Sequence, residues 1–169
     1  VPAIATIALG SNLGRREENV LRAVAAIAAD RVGRPLRTSS LYQTTAVGMP
    51  GAPSFVNAVV QVVPLLPPHD LLQRLQAIEA RMGRSGGHMQ SREIDLDLIA
   101  FGDQVLDDPG LTLPHPRFHE RAFVLIPLAE IDPAFACPRT GRRIGDLLAA
   151  VTGAGGVVRI SGRSWIMRS

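Results

Sequence analysis

The sequence predicts an α+β sandwich in a single domain, and three observations carry that prediction. Short runs rich in Val, Ile and Leu alternate with longer runs whose apolar residues recur at helical spacing. The connections between them are of both hairpin and crossover length, whereas a doubly wound parallel sheet needs crossovers throughout. The 169 residues are 46% hydrophobic and 20% charged, enough apolar material for one buried core in a domain of that size. Residues 1–152 read as the domain, and 153–169 as a C-terminal tail that is either an extra strand or disordered.

Taken in order, Ala3 to Leu9 reads as a strand, which Gly10, Ser11, Asn12 and Gly14 interrupt. A helix follows to about Asp30, with Val20, Leu21, Val24, Ile27 and Ala28 on one face and Ser11 or Asn12 as its cap. Leu36 to Tyr42 reads as a second strand, Thr44 to Pro53 as a loop and Ser54 to Val63 as a third strand. The next helix starts near Pro68 and ends at Gly83, residue types suited to a first turn and to a C-terminal cap. Its stripe is Leu71, Leu72, Leu75, Ile78 and Met82. Arg84 to Ser91 has no periodicity and two adjacent glycines, which predicts a mobile loop. Glu93 to Phe101 is a fourth strand, turning at Gly102 and Asp103 toward Val105 and Leu106. Leu111 to Pro116 is extended, Glu120 to Ile131 is helical despite Pro127, and Ile144 to Val151 is a last short helix.

Composition also excludes. A disordered chain would be poorer in apolar residues, and Pro64, Pro67 and Pro68 break up the most hydrophobic stretch before it could span a bilayer. The apolar start, Val1 to Leu9, lacks a basic leader and reads as a strand, not a signal peptide. One cysteine, Cys137, leaves no internal disulfide and no multi-thiolate zinc site, so a cytoplasmic setting is expected. All 18 basic residues are arginine. A lysine-based phosphate loop, a protein-kinase site and Schiff-base chemistry are therefore excluded. Aromatic residues are only 4%, too few to interleave with basic residues in a nucleic-acid surface. A monomer acting on small molecules, with neither nucleic acid nor membrane as partner, is the expectation.

Asp95 and Asp97 are the most pointed local feature. Residues two apart on a strand share a face, so the two carboxylates project together while Ile94, Leu96 and Leu98 face a core. The pair is either a solvated strand face or a magnesium site, since magnesium takes a few carboxylates plus substrate phosphates. Arg92, just before it, adds a phosphate-binding group. Asn57 sits in the apolar run Phe55-Val56-Asn57-Ala58, where an amide needs partners. It is satisfied by nearby backbone, or it reads the edge of a flat heterocycle stacked on Phe55, which shares its face. Gln76 and Glu79 flank the apolar stripe of their helix, as a solvated edge or as ligand contacts. His115 stands between Pro114 and Pro116, open to roles as metal ligand, phosphate donor or packed ring. Arg121 and Phe123 again pair a cation with an aromatic ring. His88 and His119 have no partner at metal-ligand spacing.

As an ordered set these segments resemble the 6-hydroxymethyl-7,8-dihydropterin pyrophosphokinase family of folate biosynthesis. The resemblance runs from Ala3 to about Ala150 through Ala8-Leu9-Gly10-Ser11-Asn12-Leu13-Gly14, Ser39-Ser40-Leu41-Tyr42-Gln43-Thr44, Phe55-Val56-Asn57-Ala58, Ile78-Glu79 and Gly83-Arg84. It is most specific at Arg92-Glu93-Ile94-Asp95-Leu96-Asp97-Leu98, and closes with Leu113-Pro114-His115-Pro116 and Arg121-Ala122-Phe123-Val124-Leu125.

The resemblance implies a ferredoxin-like fold of three α/β/α layers. It also implies an ATP-dependent diphosphotransferase in which Asp95 and Asp97 hold two magnesium ions. Arg84, Arg92 and Arg121 would complete the catalytic set. Phe55 and Phe123 would sandwich the pterin, with Thr44, Val47 and Asn57 along it, and Gln76, Glu79, Leu98, Thr112 and His115 would take the nucleotide. Three departures stand out. The family's second arginine after Arg84 is missing, Met89 or His88 stands where a Trp is expected, and Thr45 replaces the usual proline. A weakened or non-catalytic paralogue, or a pyrophosphokinase for another pterin alcohol, are the alternatives these departures leave. The segment Arg84 to Ser91 is expected to act as a lid.

Overall fold

The computed structural model describes residues 3–45, 54–83 and 93–162. Its strands are β1 (Ala5–Ser11), β2 (Gly33–Thr38), β3 (Leu41–Thr44), β4 (Phe55–Pro64), β5 (Asp95–Phe101), β6 (Leu106–Asp108), β7 (Leu111–Leu113) and β8 (Val157–Ser161). Its helices are α1 (Arg16–Ala29), α2 (Pro68–Arg81), α3 (Ala122–Ile131) and α4 (Ile144–Ala150). Every strand pairing is antiparallel. The main sheet runs β5-β1-β4-β3-β8, with β2 beside β4 farther along the same edge, and β6 with β7 forms a separate hairpin.

The alternation of side chains along β1 sorts the core into two layers. Ile7 and Leu9 face α1 and α2, and pack with Val20, Ile27, Leu71, Leu75 and Ile78. Ala8 faces the other way, and packs with Val59, Ile99, Leu125, Leu128, Ile144 and Leu147 under α3 and α4. Two helical layers thus cover one sheet, the α+β sandwich that the pattern predicts, with the three layers that the resemblance implies. Among the described residues, no helix is long and apolar enough to cross a membrane.

Several local expectations need correction. Gly10 and Ser11 continue β1 instead of ending it, because both pair in register with β4. Neither Ser11 nor Asn12 caps α1, whose N-cap is Arg15 without a side-chain bond. Asn19, 5% exposed, instead reaches back from α1 to Ser11 Oγ at 3.2 Å and the Leu13 carbonyl at 3.0 Å, and secures the turn from inside. The stretch from Leu36 to Tyr42 is two strands, broken at Ser39 and Ser40. There the Ser39 N–H still bonds to the Val59 carbonyl at 2.9 Å, but Ser39 Oγ accepts the Val59 N–H at 2.9 Å, and the Ser40 N–H donates to Glu130 on α3 at 2.7 Å. Glu120 lies in a short 3₁₀ turn ahead of α3. Gly83 stands just past α2 with φ 111° and the Glu93 carboxylate folded against it, 2.8 Å from where a Cβ would be. The positive φ favours glycine there, whereas the flexible Glu93 side chain could move aside.

Candidate active site

Cross-strand register builds the site. Residues directly opposite in antiparallel strands share a face, so a row of partners across the sheet is a row of neighbouring side chains. One row reads Asp95, Gly10, Asn57, Tyr42, Arg159 from β5 to β8. A second, nearer the strand ends, reads Phe55, Thr44, Val157, and a third, deeper, Asp97, Ala8, Val59. All three rows lie on the α3 face, the third at the edge of the core beneath that helix. A cleft of about 640 Å³ opens over them.

The amide and the acids, far apart in the sequence, therefore meet on one floor. Thr44 Oγ1 donates to Asn57 Oδ1 at 2.7 Å, which orients the amide so that its nitrogen lies over Gly10 of β1. A Cβ on Gly10 would stand 2.9 Å from that nitrogen and 3.7 Å from the Phe55 ring, so the glycine leaves Asn57 its place. Arg16, in the first turn of α1, donates to the Ser54 carbonyl at 2.6 Å and to Ser54 Oγ at 2.8 Å. A cation there opposes the helix dipole, and its bonds hold the residue just before Phe55.

The far wall comes from the segment before α3. Arg121, the N-cap of α3, places its guanidinium 3.6 Å from Asp97 and 5.8 Å from the centre of the Phe123 ring. One cation thus links the acid pair to the aromatic wall, by charge on one side and by the ring quadrupole on the other. His115 is fixed by its backbone N–H to the Ile99 carbonyl at 2.8 Å. Its Nδ1 accepts the Arg117 N–H at 3.1 Å, which assigns the ring proton of the neutral form to Nε2. Burial lowers its pKa, with Asp97 pulling the other way and Arg121 and Arg117 reinforcing the burial. The ring is thereby kept as a neutral donor.

Thr44, Asn57, Asp95 and Asp97 line this cleft, and so do Phe55, Phe123, Arg121 and His115. Others lie apart. Gln76 is exposed on α2. Leu98 buries its side chain under α1 and α2, on the opposite face. Thr112 pairs with Asp107 in the β6–β7 hairpin, which Arg139 grips through both Asp107 oxygens and the Leu113 carbonyl. Glu79 is not a solvated helix edge: it is 5% exposed, and its Oε2 accepts the Leu96 N–H at 2.8 Å. β5 is an edge strand, and Glu79 supplies the bond that the missing neighbour would have made, between the two aspartates. Arg84, Arg92 and Val47, with the expected lid, lie outside the described residues. Sequence reasoning assigned no site role to Gly10, Arg16 or Val157, although an arginine in a helix's first turn is a readable oddity.

The acid pair suits magnesium by its chemistry: two half-exposed carboxylates at a cleft floor are hard donors with room for further oxygen ligands. Among the described residues there is no cluster of three or more His, Cys, Asp or Glu that could hold a metal. A second cavity of about 350 Å³, by Thr6, Gln61 and Asp132, sits on the same face beyond the other end of α3 and contains no expected site residue.

The sequence model of the 7,8-dihydro-6-hydroxymethylpterin-pyrophosphokinase family matches residues 6–133. The chain belongs to this family. Among pyrophosphokinase relatives, the 2-amino-4-hydroxy-6-hydroxymethyldihydropteridine pyrophosphokinase of Synechocystis is 40% identical over 148 residues, 87% of this chain and 75% of the relative. The enzyme of the same name from Pseudomonas aeruginosa is 41% identical over 145 residues, 85% of this chain and 89% of its own length. The crystal structure of Plasmodium falciparum HPPK-DHPS with pteroate superposes with a TM-score of 0.70 at 14% identity, covering 88% of this chain. The pyrophosphokinase chain spans 44% of that larger protein, and at such identity the likeness speaks for the fold alone.

Proposed function

We propose that the cleft binds a 6-hydroxymethyl-7,8-dihydropterin and ATP side by side, and passes the terminal diphosphate of ATP to the pterin hydroxymethyl group in folate biosynthesis. The observation that carries this is the convergence of Asp97, Arg121 and Phe123 on one side with Asn57, Thr44 and Phe55 on the other. An anionic-phosphate end thus adjoins a flat, amide-lined slot. The pterin stacks between Phe55 and Phe123, and Thr44 and Asn57 read its polar edge, with Val47 beside them.

His115 donates through Nε2 to a phosphate oxygen, Gln76 and Thr112 approach the nucleotide from α2 and the hairpin, and Leu98 contributes backbone. Glu79 acts by positioning, since it fixes the strand segment that bears both acids. Asp95 and Asp97 would hold two magnesium ions, which supply charge neutralisation at the triphosphate when bound. Arg84, Arg92 and Arg121 take up the charge that remains, and arginine suits the task because its planar fork matches phosphate oxygens.

The hydroxymethyl oxygen forms a bond to the β-phosphorus. The bond from that phosphorus to the α,β-bridging oxygen breaks, AMP leaves with the oxygen, and the hydroxyl proton is released. Such a transfer asks the protein for alignment and charge stabilisation more than for covalent chemistry. The working unit in this reading is a monomer, in the cytoplasm where ATP is abundant.

The test is AMP release from ATP with 6-hydroxymethyl-7,8-dihydropterin, for the parent and for Asp97→Asn. Loss of one carboxylate at the phosphate end is expected to lower kcat by on the order of a hundredfold or more, with the melting temperature little changed because Asp97 is 43% exposed. Near-parental turnover in the variant refutes the assignment of the acids.

A further inference from the structure

We infer that Val157 forms the end wall of the pterin slot and makes the enzyme selective for an unsubstituted 2-amino group. The inference rests on the orientation just proposed. In a 6-hydroxymethylpterin the 2-amino group and the reacting carbon lie at opposite ends of the bicycle. The reacting oxygen belongs beside Asp95, Asp97 and Arg121, at the β5 end of the sheet. The amino end must then point along the strand order, past β4, toward β3 and β8.

The side chain that follows Thr44 in this direction is Val157. It is the direct partner of Thr44, as Phe55 is on the other side, so all three share the α3 face. With strands about 4.8 Å apart, Val157 stands roughly 10 Å from Phe55, backbone to backbone. Val157 lines the cleft together with Thr152 and Gly153. It is half-buried, branched at Cβ and therefore stiff, and it has no polar atom with which to accept a substituent.

The wall is firmly held. The Thr45 N–H bonds to the Gly156 carbonyl at 3.2 Å. The preceding helix α4 is anchored in the core by Ile144 and Leu147, 2% and 3% exposed. This segment lies beyond residue 133, where the family match ends.

The experiment compares kcat/KM for 6-hydroxymethyl-7,8-dihydropterin and its N2-methyl derivative in the parent, Val157→Ala and Val157→Phe, with KM for ATP and melting temperature as controls. The parent is expected to prefer the unmethylated substrate by on the order of tenfold or more, the discrimination that one methyl group against a packed wall supports. Val157→Ala should narrow that ratio several-fold. Val157→Phe should raise the pterin KM by about tenfold with KM for ATP unmoved; if it fails to fold, Val157→Ala decides alone. An unchanged ratio in Val157→Ala overturns the wall while the site reading stands. A parent that releases no AMP with the unmethylated pterin overturns both.

Discussion

At position 10 the absence of a side chain is what lets Asn57 and Phe55 approach the floor of the cleft, since a Cβ would intrude to 2.9 Å from the Asn57 nitrogen. Gly10→Ala should therefore leave the fold intact, because strand φ and ψ suit alanine, and displace the amide from Thr44. A rise of roughly tenfold in the pterin KM is expected, with nucleotide affinity unchanged by calorimetry; equal losses for both ligands would show that the substitution deforms the sheet instead. Residues of this kind mark the limit of sequence reading. Asp95 and Asp97 were legible because period-two spacing by itself puts both on one face. Gly10 was not, since its role is set by a partner 47 positions away on β4, and glycine after a strand reads as a break. Glu79 was misread for the same reason. Helical spacing places it beside an apolar stripe, and only the free edge of β5 explains why a carboxylate is buried there.

Among elements, α3 couples the two sides of the pterin slot. It is apolar on almost every side, and Glu130 is its one charged residue. That carboxylate accepts from Ser40 N at 2.7 Å, from Ser40 Oγ, and from the Tyr42 hydroxyl at 3.0 Å. The helix that carries Phe123 is thus clipped to the strand that carries Thr44. Burial, and then the Glu130 charge and its hydrogen bond, raise the Tyr42 pKa from 10.0 to about 12. A raised folded pKa contributes stability that is complete below pH 10 and disappears as pH rises through about 12. The sequence has one tyrosine and no lysine, so few other groups titrate in that window. Urea unfolding between pH 9 and 12 should show a steep loss of stability in the parent and a shallower one in Tyr42→Phe; parallel profiles would mean that the phenol is not held by Glu130. The break at Ser39–Ser40 that makes this clip was hidden in the sequence. Leu36 to Tyr42 has continuous strand character, and the need of Glu130 for donors is visible only once α3 lies across β3.

For the molecule as a whole, the alternation of strand and helix patterns was sufficient for an α+β sandwich, and the motif order for the family and its three layers. What neither contained was the order of strands, with β1 lying between β4 and the edge strand β5. That order has a kinetic consequence. The pairing of β1 with β5 joins Ala5 to Phe101, so the chain must close a loop of nearly a hundred residues before the acids reach the amide, and such closures slow folding. A slip of one residue in any pairing would turn a strand's side chains to the opposite face and leave no partly useful site. Refolding from urea should therefore restore pterin turnover at the same rate as amide protection along β1 and β5, and later than the helical signal in circular dichroism. Turnover that returned ahead of this protection would show that the catalytic floor assembles before β1 and β5 have paired. A chain emerging from the ribosome accordingly remains inert until β5 has been made, however well its first sixty residues have already folded.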